Sequence, residues 1–111
     1  MQLTANLRGD TLVIEALGDR ICAASAIHFK DRMRELTQTE CQRVLFDMSR
    51  VAFVDGSGLG AIVAVLKALA PQRKLELAGL TPTVQKVFRL TRMEQVFTIH
   101  DEMPQNLRYA C

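Results

Sequence analysis

A serine set between glycines, Gly56-Ser57-Gly58, is the feature of this chain best suited to chemistry at an oxygen. It follows two apolar runs, Val44-Leu45-Phe46 and Val51-Ala52-Phe53-Val54, the second of which closes on Asp55. A third apolar run, Leu59 to Leu69, comes directly after it and reads as a helix. A hydroxyl at such a strand-to-helix turn is exposed, beside amides that the first turn of a helix leaves without intrahelical partners. Those amides and the positive end of the helix dipole favour an anion. A phosphate on Ser57 is therefore expected to meet the N–H groups of Gly58, Leu59 and Gly60. Gly58 and Gly60 are expected to leave the backbone uncovered, so that a modifying enzyme can approach closely. Asp55 opposes the phosphate by like-charge repulsion, and no arginine stands beside it to neutralise the charge.

A phosphoserine carries roughly −1.5 to −2 charges. The fold should tolerate that charge, whereas a protein docking on the turn would have to desolvate it or be repelled. Weakening an interaction about 100-fold takes only about 2.8 kcal/mol. Ser57 thus reads as a switch at an interface.

Rival chemistries fit the same residues less well. Gly56-Ser57-Gly58-Leu59-Gly60-Ala61 satisfies the G-x-G-x-x-A dinucleotide fingerprint, with Glu76 placed where a ribose-binding acid would follow. Glu76, however, lies inside a strand pattern, and 111 residues are too few for the two halves of a dinucleotide-binding fold. A hydrolase nucleophile elbow needs glycines two residues either side of the serine, where this chain has Asp55 and Leu59. His28 and His100 show no local sign of a triad. The plainest alternative is a tight turn that lets the helix pack close to a sheet. No catalytic residue, metal site or cofactor is expected.

The elements that position this turn alternate in type. Leu3 to Leu7 and Thr11 to Leu17 read as strands of a hairpin about Gly9-Asp10. Apolar residues at Cys22, Ala26, Phe29, Met33 and Leu36 make the stripe of an amphipathic helix. Val44 to Phe46 is a central strand buried on both faces. The helix from Ser57 stops before Pro71, Lys74 to Ala78 is a strand ending at Gly79, and Thr81-Pro82 starts a helix with a capping hydroxyl and proline at its first position. Val84, Val87, Phe88 and Thr91 form the inner face of that helix. Val96 to Ile99 is a last strand, and Asp101 to Leu107 a short terminal helix. The expected fold is α/β, a small mixed sheet of parallel strands plus an antiparallel N-terminal edge strand, with helices packed against it.

Composition narrows the class. One domain over residues 1–111 is expected, with an aliphatic core, since hydrophobic residues make up 49% of the chain and aromatics 5%. The net charge of +2 is too small for direct nucleic-acid binding. Cys22, Cys41 and Cys111 show no metal-ligand or CxxC spacing and read as reduced thiols. With no signal-peptide pattern and no apolar run near the ~20 residues of a membrane helix, a cytoplasmic protein without membrane insertion is expected. Asp47 reads as a strand-end residue bonding local amides, and Met33, Met48 and Met93 as packing residues.

The order of elements resembles the STAS domain, and more narrowly the stand-alone anti-sigma-factor antagonists of bacterial partner-switching systems. The likeness is carried by Arg20-Ile21, Leu45-Phe46-Asp47-Met48-Ser49, Phe53-Val54-Asp55, Ser57-Gly58-Leu59-Gly60 and Leu77-Ala78-Gly79-Leu80. It implies a non-enzymatic protein that sequesters an anti-sigma factor and so frees a sigma factor. The anti-sigma factor is itself a serine kinase acting on the position of Ser57, and a metal-dependent serine phosphatase reverses the reaction. Asp55, Gly56, Gly58, Leu59 and Gly60 would form the partner-binding loop. Gly56 replaces the hydroxyl residue common after the aspartate, and Cys22 replaces an aspartate common at the first helix, for which Asp19 or Ser25 could substitute as a cap. The resemblance leaves a second role open, an unphosphorylated STAS subunit of a lipid-transport or other regulatory complex.

Overall fold

The computed structural model describes residues 2–102. Strands β1 (Leu3–Arg8) and β2 (Thr11–Ala16) form the expected antiparallel hairpin, with Gly9 at φ 63° in the turn, a conformation that favours glycine. Strand β3 (Arg20–Ile21) leads into α1 (Ala26–Leu36), followed by β4 (Arg43–Asp47), β5 (Phe53–Val54) and α2 (Gly56–Leu69). Strand β6 (Lys74–Ala78), α3 (Pro82–Leu90), a 3₁₀ turn (Met93–Gln95) and β7 (Thr98–His100) complete the described chain. The main sheet has the order β1-β2-β4-β6-β7, parallel throughout except for β1 at its edge.

The sheet sends alternate side chains to opposite faces. Leu12, Ile14, Val44, Phe46, Leu75 and Leu77 meet Phe29 and Met33 of α1, Ile62 and Val65 of α2, and Val84 and Phe88 of α3 in one core. Phe29 packs tilted against Phe46 with ring centroids 5.6 Å apart, and Phe88 meets Phe97 edge-on at 5.8 Å. Val13, Leu45 and Ala78 face the other way and are also fully buried, so β4 is covered on both faces as its unbroken apolar run requires.

Several expectations change in detail. The run closing on Asp55 contributes no strand to the main sheet. Its last residues, Phe53 and Val54, pair in parallel with Arg20 and Ile21 in a separate two-stranded ribbon. Helix α1 begins at Ala26 and not at Cys22, because Cys22 to Ser25 close a turn in which the Ser25 N–H donates to the Cys22 carbonyl at 2.9 Å. The last strand starts at Thr98; Val96 lies half exposed after the 3₁₀ turn. Thr91 is exposed and donates its hydroxyl to the Val87 carbonyl at 2.7 Å, so it is no part of the inner face of α3. Thr81 is the N-cap residue of α3 by position, yet its hydroxyl donates to the Val51 carbonyl at 2.9 Å and caps nothing. Of the expected terminal helix, Asp101 and Glu102 form a bend and the remainder lies outside the described residues.

Candidate functional site

The turn before α2 is built around Asp55. One carboxylate oxygen accepts the Gly58 N–H at 2.8 Å, the N-cap bond that starts the helix. The other accepts the Ala23 N–H at 3.1 Å, from the segment that links β3 to α1. The Asp55 carbonyl takes the Leu59 N–H at 2.8 Å, and its own N–H donates to the Ile21 carbonyl at 3.3 Å. The amides of Gly58 and then Ala23 hold the Asp55 carboxyl below the usual carboxylate range, so it stays ionised where most carboxylates begin to protonate.

Gly58 is buried against the same segment. A Cβ at that position would lie 1.9 Å from the Ile21 carbonyl oxygen, so only glycine allows the helix start to touch β3. Gly56 and Gly60 are the opposite case: a Cβ on either would have nothing within 4 Å. Between them Ser57 is exposed on the first turn of α2, and Leu59 is half-buried against the core. Two apolar side chains emerge from the elements this turn is fastened to: Phe53 of β5, 46% exposed, and Ile27 in the first turn of α1, 71% exposed. Sequence reasoning missed both. Phe53 sat in an apolar run that looked buried, and the strand pairing Arg20–Phe53 that turns it outward has no local sequence signal.

The electrostatic expectation for the turn needs correction. The Gly58 amide is taken by the Asp55 side chain and the Leu59 amide by the Asp55 carbonyl, so neither is available to a phosphate on Ser57. In regular helix geometry the Gly60 amide bonds back to Gly56. Gly58 does not uncover the backbone either, since its open side is filled by Ile21. Asp55 is therefore a brace before it is a source of repulsion, and it has claimed two of the three donors that would have cradled an anion. A charge on Ser57 would be presented outward. The missing aspartate at the start of α1 has a related solution. The Ser25 hydroxyl makes no cap bond to α1; it accepts the Cys22 N–H at 3.2 Å, and the neighbouring Ala23 N–H is satisfied by Asp55.

Asp47 bonds a local amide as expected, accepting the Ser49 N–H at 2.9 Å. A charged cluster that the sequence did not reveal lies on the sheet face turned away from the helices. Glu76 of β6, with 8% of its side chain exposed, accepts from Arg43 Nη2 of β4 at 2.9 Å and lies 2.6 Å from His100 Nε2 of β7. The alternation within β6 was the available signal for Glu76; its pairing with β4 and β7 was not legible. Glu76 is thus engaged in a structural network, and His100 with it. Cys22 and Cys41 are free thiols. Among the described residues no cluster of His, Cys, Asp or Glu is placed to hold a metal, and no helix is long and apolar enough to cross a membrane.

The STAS-domain family model matches residues 2–105 of this chain. The chain belongs to the STAS family. Solved structures agree on the fold. An anti-sigma factor antagonist from Mycobacterium paratuberculosis superposes with a TM-score of 0.83 at 16% identity, over 96% of this chain and 90% of that one. An anti-sigma-factor antagonist (STAS) domain protein from Planctomyces limnophilus gives 0.82 at 17% identity, over 93% and 92%. The Bacillus cell-fate determinant SpoIIAA in its phosphorylated form gives 0.63 at 22% identity, over 91% of each chain. At these identities the likeness fixes the architecture of the STAS chain, and its role must be argued from the turn at Ser57.

Proposed function

We propose that this STAS protein is a cytoplasmic, non-enzymatic anti-sigma-factor antagonist. Its unphosphorylated form docks on a kinase-type anti-sigma factor through the loop Asp55, Gly56, Gly58, Leu59, Gly60 and the helix that begins there. Phosphorylation of Ser57 by that kinase blocks docking, and a metal-dependent serine phosphatase restores it. The observation that carries this reading is the placement of Ser57: exposed, between two bare glycine surfaces, on a helix start fixed to β3 by Asp55 and Gly58. A turn braced by these bonds gives a partner a preformed surface and loses little entropy on binding. Phe53, exposed on β5 two residues before Asp55, supplies an apolar anchor of the kind that dominates binding energy. Because the Gly58 and Leu59 amides already serve Asp55, a phosphate on Ser57 keeps its charge toward the partner.

Intact mass of the protein from its native host tests the switch, read for wild type and Ser57→Ala with and without phosphatase treatment. A phosphatase-sensitive gain of about 80 Da, absent in Ser57→Ala, is expected. No phosphate under any growth condition would favour the unphosphorylated STAS subunit of another complex. A pull-down then tests the partner. Ser57→Ala should retain an ATP-binding serine kinase that Ser57→Asp loses, and equal retention by both would remove the switch.

A further inference from the structure

The two edges of the main sheet are built differently. Strand β7 is short, three residues, and follows directly on the 3₁₀ turn. Strand β1 is six residues long, Leu-Thr-Ala-Asn-Leu-Arg, with no proline, glycine or lysine to discourage pairing and its only charge at the last position. Its backbone direction is set by the hairpin. The Leu17 N–H donates to the Gln2 carbonyl, so residues 2, 4, 6 and 8 are the ones that bond inward to β2. The N–H and C=O groups of Leu3, Ala5 and Leu7 therefore point outward from the edge.

We propose that a second copy of this chain pairs with β1 in antiparallel fashion, joining the two sheets into one. A two-fold axis through an antiparallel pair requires one residue to face itself. Centred on Ala5, the register gives the longest overlap and matches all three outward-bonding residues. Leu3 then faces Leu7 of the second copy, and each such pair exchanges two backbone bonds. Both leucines stand on the helix-covered face, where Leu7 is 50% exposed and would gain a covering neighbour. On the opposite face Thr4 meets Asn6, both exposed and able to hydrogen-bond. Arg8 meets Gln2, so no like charges are opposed.

The same symmetry has a consequence for recognition. The strands of the two copies run in opposite directions, which sends the two Ser57 turns to opposite ends of the joined sheet. Each turn stays clear, and the dimer offers two independent docking surfaces. The pairing itself does not depend on what those surfaces bind.

Sedimentation equilibrium of the full chain from low micromolar to millimolar concentration reads the dimer, and amide exchange reads its location. The expected result is a concentration-dependent dimer in which exchange slows at Leu3, Ala5 and Leu7 and is unchanged at Thr4, Asn6 and Arg8. Ala5→Pro removes an outward donor from each copy and should weaken dimerisation by about thirtyfold. Leu7→Lys places a charge against Leu3 of the second copy without touching the core, and keeps the test available if Ala5→Pro fails to fold. A monomer at every concentration overturns the proposal. So does a dimer that survives both substitutions or whose slowed amides lie elsewhere.

Discussion

At the scale of single residues, Gly58 and Gly60 separate packing from the proposed recognition within one helical turn. Both replace a better helix former, and glycine in a helix interior costs about 0.5–1 kcal/mol relative to alanine. At Gly60 the added methyl enters open space, so Gly60→Ala should stabilise the fold by about that amount. At Gly58 the methyl would collide with the Ile21 carbonyl, a backbone atom that cannot swing aside. Gly58→Ala should therefore destabilise by about 1–3 kcal/mol despite its gain in propensity, the cost typical of overpacking. Urea denaturation of both variants checks the opposite signs; stabilisation by Gly58→Ala would mean that α2 does not sit against β3. On the proposed docking face the order reverses. Gly60→Ala should weaken the partner complex while making the free protein more stable.

At the scale of elements, α3 shows how a correct boundary can conceal a different contact. Its start was legible from Thr81-Pro82, and the hydroxyl was expected to cap it, but the Thr81 side chain reaches across to the Val51 carbonyl and fastens α3 to the approach of β5. The two roles predict different mutant behaviour. Aspartate is at least as good an N-cap as threonine, so a capping Thr81 would tolerate Thr81→Asp. Here the substitution loses a donor and sets a carboxylate beside a carbonyl oxygen, and should cost about 1–2 kcal/mol. A thermal midpoint unchanged or raised would restore the capping role. The same contrast describes what was legible more generally. Periodicity marked α1 and β6, unbroken apolar runs marked β4 and α2, and Thr81-Pro82 marked the start of α3, because each buries an apolar face that local signals suffice to show. The β3–β5 ribbon was not legible, being two residues per strand and stabilised by pairing between Ile21 and Val54, far apart in sequence. That ribbon turns Phe53 outward and brings Ala23 to Asp55, so the exposed serine of the candidate site could be read from its neighbours while the brace and the exposed Phe53 could not.

At the scale of the whole molecule, the Arg43–Glu76–His100 network ties three neighbouring parallel strands together on the face opposite the main core. A nearly buried carboxylate is tolerated there because the Arg43 guanidinium binds it from one side and the His100 ring lies against it on the other. The Arg43 guanidinium, above all, and then His100 hold the Glu76 carboxyl below the ordinary glutamate range, while Glu76 in turn raises Arg43. The sign of the pH dependence follows from this. A carboxyl whose pKa is depressed by folding binds fewer protons in the native state than in the unfolded chain, so stability rises with pH through that window. The contribution is complete above the unfolded glutamate value of about 4.3 and is lost as pH falls through the native one. Asp55, depressed by the Gly58 and Ala23 amides, acts in the same direction. Wild-type stability should therefore hold from neutral pH to about pH 5 and decline steeply below about pH 4. Glu76→Gln keeps the shape but not the charge and should cost about 2 kcal/mol at neutral pH, read as a fall in thermal midpoint of roughly 10 °C. Because its contribution is already absent, its stability should decline less than that of wild type between pH 5 and pH 3. Parallel curves for the two proteins would show that the carboxylate bound by Arg43 is not the group whose protonation loosens the sheet.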